Sequence, residues 1–262
     1  MTINGRSLTS VATDLASATT TEADFRQAIQ DLATEASSYG KLPGGGFSNM
    51  QVFNTSGTWT KPADTDIKYY TVVIIGAGGG GSYTTTNGGG GAGGGGGGAI
   101  LAVVAASQLS ATESIVVGAG GTGAGYVYGA NGGNGGSSGI AGKLLAGGGS
   151  GAVTTTGGNG GSPSILIPVI SSVQSTGGKG GNRGSVGAVG TTIGASRWAA
   201  GGGGSSDIYG NNFASGAGSL FSFWGIAPAP GGTLGYGSGG YSYYNCGFYG
   251  QPGGPGYVMI LG

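Results

Sequence analysis

A glycine run between two apolar segments constrains this chain more than any other feature. Residues 76–98 read GAGGGGSYTTTNGGGGAGGGGGG, and 15 of these 23 residues are glycine. Apolar residues precede the run at 69–75 and follow it at 99–104. A flexible linker is the ordinary interpretation, because glycine-rich chains behave as random coils. The strand-like flanks and the return of the same pattern further along favour a folded arrangement instead.

The glycine pattern continues to the C terminus. Glycine supplies 69 of the 262 residues, whereas its usual share is about 7%. Many short runs separated by loops indicate a compact bundle of rods, whereas a single run would indicate a spacer. Disorder of the whole region is the alternative. The runs lie at 76–81, 88–98, 118–125, 129–136, 147–151, 157–161, 177–184, 201–204, 231–240 and 250–256.

Glycine has a specific use in a packed bundle of extended chains. A left-handed extended helix with three residues per turn has no internal hydrogen bonds, so its backbone groups point outward. Once buried, these groups must pair with neighbouring chains. Side chains would hold the chains apart, so interior positions must be glycine. The 8 prolines and the blockwise glycines argue against a collagen triple helix. We therefore predict rods of the polyglycine-II type.

The composition excludes several classes of function. Charged residues make up 7% of the chain and the formal net charge is zero, which argues against nucleic acid as a partner. The chain has no histidine and a single cysteine, Cys246, which removes the commonest general base, most zinc sites and any internal disulfide. Beyond Lys68 the only acidic residues are Glu113 and Asp207, so no carboxylate pair for glycoside hydrolysis is evident.

Motif searches add no catalytic or cofactor site. Matches to GxGxxG, as at 76–81, are uninformative in so glycine-rich a chain, and none is followed by a predicted helix or by Gly-Lys-Ser/Thr. We predict no enzyme activity, no cofactor and no metal. The N terminus lacks the pattern of a signal peptide. The longest apolar run, 99–106, is far shorter than the roughly 20 residues of a membrane helix, so we expect no membrane insertion.

Residues 1–42 differ from the rest, with glycine only at positions 5 and 40. Two apolar stripes at helical spacing predict a short α-helix and a second helix over 21–38. We predict a helical segment for attachment or oligomerisation over 1–42, with a plain helical hairpin as the alternative. A Gly/Pro linker at 43–50 would separate it from a glycine-rich domain at 51–262. The stripes comprise Leu8, Val11, Ala12 and Leu15, then Phe25, Ala28, Ile29, Leu32 and Ala36.

Short runs of β-branched and aromatic residues predict strands near 50–53, 58–60, 67–75, 99–105 and 114–117. The predicted fold class is mainly β and irregular. It is a glycine-rich sandwich of short strands and polyglycine-II helices, preceded by a short α-helical segment at the N terminus.

The order of several motifs resembles a known family. The pattern F-x-x-S-G-T-W-T-x-P at 53–62 is followed by a Val/Ile strand, a long glycine run and I-V-V-G-A-G-G at 115–121. Together with G-G-P-G-Y-V-M-I at 253–260, this order resembles the glycine-rich domain of bacteriophage tail fibres and adhesins. The resemblance implies a lattice of polyglycine-II helices that displays variable loops at its tip.

The resemblance also implies partners and a location. We expect a virion tail or tail-fibre protein that binds a bacterial surface receptor, either an outer-membrane protein or a polysaccharide. Residues 1–42 would contact other tail or fibre proteins, and a homotrimer is possible. A purely structural virion component is the main alternative. A binder of ice or polysaccharide surfaces ranks last, because it needs a regular threonine array and the threonines here cluster irregularly.

The candidate receptor-binding residues are aromatic. Eleven of the 23 aromatic residues fall within 209–249, where loops should emerge between glycine runs. Tyrosine and tryptophan dominate binding surfaces because they bring large rigid contact area at low entropic cost. The alternative is that they close the apolar end of the lattice. The predicted loop residues are Tyr83, Tyr126, Tyr128, Tyr209, Phe221, Phe223, Trp224, Tyr241, Tyr243, Tyr244, Phe248 and Tyr249.

Overall fold

The computed structural model describes residues 2–3, 6–7, 49–63, 67–83, 90–125, 129–185, 187–188, 192–193, 196–197, 237–240 and 250–262. Within these residues the chain consists of short antiparallel strands and extended glycine segments, with one 3-10 turn at Ala106–Gln108. The predicted mainly β fold is confirmed. The α-helices predicted within 1–42 lie outside the described residues. The described residues of this segment form two short paired strands, β1 (Thr2–Ile3) and β2 (Arg6–Ser7).

The remaining strands follow in chain order, and those predicted near 52, 59, 71, 102 and 115 are all present. They are β3 (Gln51–Phe53), β4 (Gly57–Thr60), β5 (Tyr69–Ile75), β6 (Ala99–Ala105), β7 (Thr112–Val116), β8 (Ser138–Ile140), β9 (Leu144–Ala146), β10 (Pro163–Ile165), β11 (Ser171–Ser175), β12 (Thr192–Ile193), β13 (Ser196–Arg197) and β14 (Tyr257–Leu261).

Two five-stranded antiparallel sheets form the base of the molecule. The first has the order β11-β6-β5-β14-β3, and the second has the order β10-β9-β8-β7-β4. In the first sheet, Ile74 pairs with Ile100 on one side and with Val258 on the other. The C-terminal strand β14 therefore lies between β5 and β3, which ties the end of the chain to the first strand of the two sheets.

The sheets face each other and bury one apolar core. β5 contacts β8 and β9, while β14 contacts β8. The largest core side chains are Trp59 and Tyr70, each 1% exposed, and their rings meet edge to face with centroids 5.1 Å apart. Burying one Val, Leu or Ile side chain contributes about 1.5–3 kcal/mol, so this core can offset part of the entropy lost by the glycines. It also includes Val72, Ile74, Ile100, Val104, Ile115, Ile140, Leu144, Val258 and Ile260.

The glycine segments extend the strands beyond the sheets, and we call them rods. Eight of the nine described rods directly adjoin, or lie one residue from, a strand of the two sheets. Because the paired strands present these ends on the same side, these eight rods project from one edge of the sandwich. The rods are rod 1 (76–83), rod 2 (90–98), rod 3 (118–125), rod 4 (129–137), rod 5 (147–152), rod 6 (157–162), rod 7 (176–182), rod 8 (237–240) and rod 9 (250–256).

Backbone hydrogen bonds between rods repeat every three residues. In rod 1, the amides of Gly76, Gly79 and Ser82 all donate to rod 2, at 2.9–3.0 Å. Two amides lie between successive members of this set; the first donates to rod 4 and the second donates to rod 9. A β-strand would direct its groups with a period of two, whereas a period of three is that of a polyproline-II-type chain. The expectation that neighbouring rods pair through their backbones is confirmed for the described rods.

Rod 1 lies at the centre of a closed ring of six rods. Its amides donate to rods 2, 4 and 9, and its carbonyls accept from rods 3, 5 and 8. In order around rod 1, the ring is rods 2, 5, 4, 3, 9 and 8, and each consecutive pair is also hydrogen-bonded. Donor and acceptor neighbours alternate around the ring. The glycine run at 76–81 is thus the axis of the bundle, and all eight residues of rod 1 are buried.

The inner rods approach too closely for side chains. A Cβ atom on Gly79 would lie 2.0 Å from the carbonyl oxygen of Ser150, and one on Gly95 would lie 1.9 Å from that of Asn159. Real Cβ atoms essentially never come within 3.0 Å of such an atom. The opposing atoms are backbone and cannot rotate away, so these positions require glycine for its missing side chain.

Outer rods carry side chains at every third position. Rods 4, 6 and 7, with Thr156 before rod 6, read NGGNGGS, TGGNGGS and TGGKGGN over 131–137, 156–162 and 176–182. Within them, the non-glycine residues are exposed or half-buried, and the glycines between them are buried or half-buried. Rod 9 places Pro252 and Pro255 at such exposed positions, where a fixed φ suits the extended chain and an amide donor is not needed.

Candidate binding surface at the distal end of the rods

The connections between rods gather at the end of the bundle opposite the sheets, which we call the distal end. Rods 1, 3, 5 and 7 each leave a strand, so the turns that follow them lie at this end. The amide of Tyr83 donates to Ala130 at 3.1 Å, and Gly125 forms a bridge with Gly250. The described residues flanking 84–89, 126–128 and 241–249 therefore meet at one end of the bundle.

One distal turn is described in full. Val153 and Thr156 exchange two backbone hydrogen bonds of 3.0 and 2.8 Å, which closes a tight turn through Thr154 and Thr155. All four residues are exposed. Thr154 has a φ of 47°, a left-handed conformation that is a genuine outlier for a β-branched residue. This turn joins rod 5 to rod 6.

Neighbouring connections hold this turn in place. The side chain of Asn131 accepts from the amide of Thr154 at 3.0 Å, and the hydroxyl of Ser82 donates to the carbonyl of Thr154 at 2.5 Å. From the residue that follows rod 7, the amide of Arg183 donates to the carbonyl of Thr155 at 2.9 Å. Rods 1, 4 and 7 thus fix the tip of rods 5 and 6. Arg183 also brings a cationic side chain to an otherwise uncharged turn.

The predicted site residues fall into two groups. Tyr83 is the last residue of rod 1 and is 5% exposed, so it packs within the bundle, and its part in binding stays a prediction. The others lie outside the described residues, although the segments 126–128 and 241–249 are flanked by distal residues. They are Tyr126, Tyr128, Tyr209, Phe221, Phe223, Trp224, Tyr241, Tyr243, Tyr244, Phe248 and Tyr249.

Sequence reasoning missed Asn131, Asn134 and Asn182, which act as caps between rods. Asn134 accepts from the amide of Gly151 at 2.8 Å, and Asn182 accepts from that of Gly157 at 2.9 Å. At the outer surface, the Asn side-chain oxygen accepts the hydrogen bond that the carbonyl of a neighbouring rod accepts inside the bundle. The repeat of Asn after two glycines was the signal that could have identified Asn134 and Asn182.

The ionic cluster among the described residues lies at the sheet end. Lys143 donates to the carboxylate of Glu113 at 2.6 Å and to the carbonyl of Gln108 at 2.7 Å. The amide of Ser110 donates to the same carboxylate at 2.5 Å. Burial by itself raises the pKa of Glu113, but the hydrogen bonds and the charge of Lys143 outweigh it and lower the pKa below its ordinary value. This cluster fastens the turn after β6 to the second sheet.

Within the described residues, no group of three or more Cys, Asp or Glu side chains is placed to hold a metal ion. The same part of the chain contains no helix long and apolar enough to cross a bilayer. The described side chains at the distal turn are those of Val153, Thr154, Thr155 and Thr156, with Arg183 beside them.

Comparison with known proteins identifies the family. No curated protein sequence matches this chain significantly. The family described as a glycine-rich domain matches residues 53–261, a span that runs from the last residue of β3 to the end of β14 and contains the other strands of both sheets and all nine described rods. By this match, the chain belongs to the glycine-rich domain family.

Proposed function

We propose that this protein is a bacteriophage tail-fibre tip or tail-associated adhesin that binds a bacterial surface receptor through loops at the distal end of its rods. The observation that carries the proposal is the convergence of the distal connections on one end of a bundle whose core is bonded backbone to backbone. Such an arrangement suits a rigid holder of variable loops better than it suits a spacer.

We infer that the rods are polyglycine-II helices. The three-residue period of the hydrogen bonds and the six neighbours of rod 1 support this assignment. Each interior residue is held by its neighbours in several directions, so bending one rod requires breaking bonds to others. A stiff holder lowers the entropy cost of ordering loops on binding.

Recognition would rest on aromatic and polar contacts without covalent chemistry. The segment 241–249 reads YSYYNCGFY and connects rods 8 and 9, whose described residues reach the distal end. Tyrosine can pack against an apolar protein loop or stack on a sugar ring, and its hydroxyl can hydrogen-bond at the same time. The ligand class follows as an exposed protein loop or a glycan of the bacterial surface.

The remaining parts of the proposal concern assembly. Residues 1–42 attach the protein to other tail or fibre components, and the attached form is monomeric or a homotrimer. The protein resides in the virion, in the tail or tail fibre, and has no enzymatic role.

Cell binding tests the proposal directly. Purified protein carrying a fluorescent label is incubated with a panel of bacteria, and competition with virus adsorption is measured on strains that bind. Tyr241, Tyr243 and Tyr244 are replaced together by Ser, and Trp224→Ala is made separately. We expect the triple variant to lose binding by about tenfold or more with an unchanged Tm, since hot-spot aromatics each contribute about 2 kcal/mol or more.

The matched control lies at the opposite end. Leu166 and Ile170 are apolar and each is 63% exposed, in the connection between β10 and β11 at the sheet end. A Leu166→Ser, Ile170→Ser variant should bind like the wild type. If the distal variant binds normally, the loop assignment is wrong. If particles lacking the protein fail to assemble while the purified protein binds no cell, the chain is a structural virion component instead.

A further inference from the structure

Rod 2 has one neighbour fewer than rod 1 among the described rods. Rod 2 donates to rods 5, 7 and 8 and accepts from rods 1 and 6. In order around rod 2, these are rods 8, 1, 5, 6 and 7. Neighbours that accept a hydrogen bond from rod 2 alternate with neighbours that donate one to it, as they do around rod 1. By this alternation, the next position around rod 2 belongs to a neighbour that donates to the carbonyls of rod 2. That position lies between rods 7 and 8.

Two carbonyl groups face this position. In the three-residue repeat of rod 2, the carbonyls of Ala92, Gly95 and Gly98 accept from rod 1, and those of Gly93 and Gly96 accept from rod 6. The remaining carbonyls in this repeat are those of Gly94 and Gly97. The amides of the same two residues donate to rod 8 at 2.9 and 2.8 Å.

The carbonyls of Gly94 and Gly97 need a partner. Both residues are buried, and among the described residues none donates to either carbonyl oxygen. Nearly all buried carbonyls in folded proteins are paired, because an unpaired one costs about 1–3 kcal/mol. Close packing also disfavours an empty groove the width of a chain. A further segment with free amide donors therefore belongs beside rod 2.

We propose that residues 201–204 of this chain form a tenth rod that fills the position between rods 7 and 8. The segment lies between these two rods in sequence as well. It is the only run of more than two consecutive glycines between residues 189 and 236. Residues 201 and 204 are three apart, as are Gly94 and Gly97, so one face of the segment can donate to both carbonyls.

The described ends of the chain reach this position. β12 contacts β11, and β13 pairs with β12, so Arg197 lies near the strand that rod 7 continues. Residue 201 follows four residues later, within a reach of roughly 13 Å. The segment at 187–188 is a different neighbour of rod 7, because the amide of Ala188 donates to the carbonyl of Lys179, on the side away from rod 2, and Ala188 is exposed.

Hydrogen–deuterium exchange on the intact wild-type protein tests this placement. Peptides spanning 199–209 should exchange at the slow rate of peptides from 90–98. They should be at least about tenfold slower than peptides containing Gly231 and Gly232, the other glycine pair in the interval. The protection should not depend on protein concentration, because the donor and acceptor belong to one chain. Fast exchange at 201–204, or protection that rises with concentration, would overturn the proposal; the latter would place a second copy in the groove.

Substitution gives a second test. Gly202→Val with Gly203→Val should lower Tm by about 5 °C or more, since side chains cannot enter a backbone-lined position. The matched control is Gly231→Val with Gly232→Val, which should change Tm by less than about 2 °C. An equal fall in both variants, or no fall in the first, contradicts the tenth rod. If the first variant does not fold, exchange on the wild type decides alone.

Discussion

The amide of Gly79 donates to the carbonyl of Gly95 at 2.9 Å, which joins the two innermost rods backbone to backbone. Both residues are buried. Each also hydrogen-bonds to other rods: the carbonyl of Gly79 accepts from Gly240, and the amide of Gly95 donates to Ser150. A glycine at the axis of the bundle is therefore held on several sides by main-chain atoms, without side-chain packing.

Gly79→Ala should prevent folding or lower the unfolding free energy by more than about 4 kcal/mol, because the new methyl group would lie 2.0 Å from a backbone oxygen. Gly57→Ala is the control, since its Cβ would have 4.0 Å to the nearest atom, on Phe53. Thermal and urea unfolding of both variants check this. Similar stability of the two variants would show that the rods can move apart.

Asn134→Ala should lower stability by about 1–3 kcal/mol, because it leaves the buried amide of Gly151 without its acceptor. Asn159→Ala is the matched control, since the described hydrogen bond of that exposed residue uses its backbone carbonyl. Urea midpoints measure both. Equal losses of stability would mean that the Asn134 side chain contributes no more than that of Asn159, and that its hydrogen bond to Gly151 is not stabilising.

The Glu113–Lys143 pair should make stability fall in acid. The folded state lowers the pKa of Glu113 below its ordinary value of 4.5, so the ionised form is stabilised on folding. This contribution is present above pH 4.5 and is lost as the pH falls through the lower folded-state value.

Glu113→Gln provides the measurement for this pair. The wild type should be about 1–2 kcal/mol more stable than Glu113→Gln at pH 7, and the difference should shrink between pH 5 and pH 3. Urea unfolding across this range gives both curves. Two curves that stay parallel would rule out a stabilising role for the ionised carboxylate.

Thr154→Asn should raise stability by about 0.5 kcal/mol, because asparagine tolerates the left-handed conformation better than a β-branched residue. Thr155→Asn, the next residue of the same exposed turn, is the control and should have no measurable effect. Thermal unfolding tests the pair. A loss of stability in Thr154→Asn would mean that the threonine side chain makes a contact that outweighs the strain.

Much of the fold follows from local patterns. The β-branched and aromatic runs at 67–75 and 99–105 predicted β5 and β6. The need for glycine in the interior also follows from chemistry alone, since an extended chain without internal hydrogen bonds can be buried only against other backbones. These conclusions need no knowledge of which segments are neighbours.

The tertiary structure decided which segments are neighbours, because the glycine runs are nearly alike in sequence and only long-range pairing distinguishes them. It made rod 1 (76–83) the axis, surrounded by six rods drawn from residues 90–256. It also made Asn134 a cap for Gly151 and brought Thr155 beside Arg183. The sequence alone determined that these glycines must be packed against backbone; the pairing of the strands at the base determined which backbone each one meets.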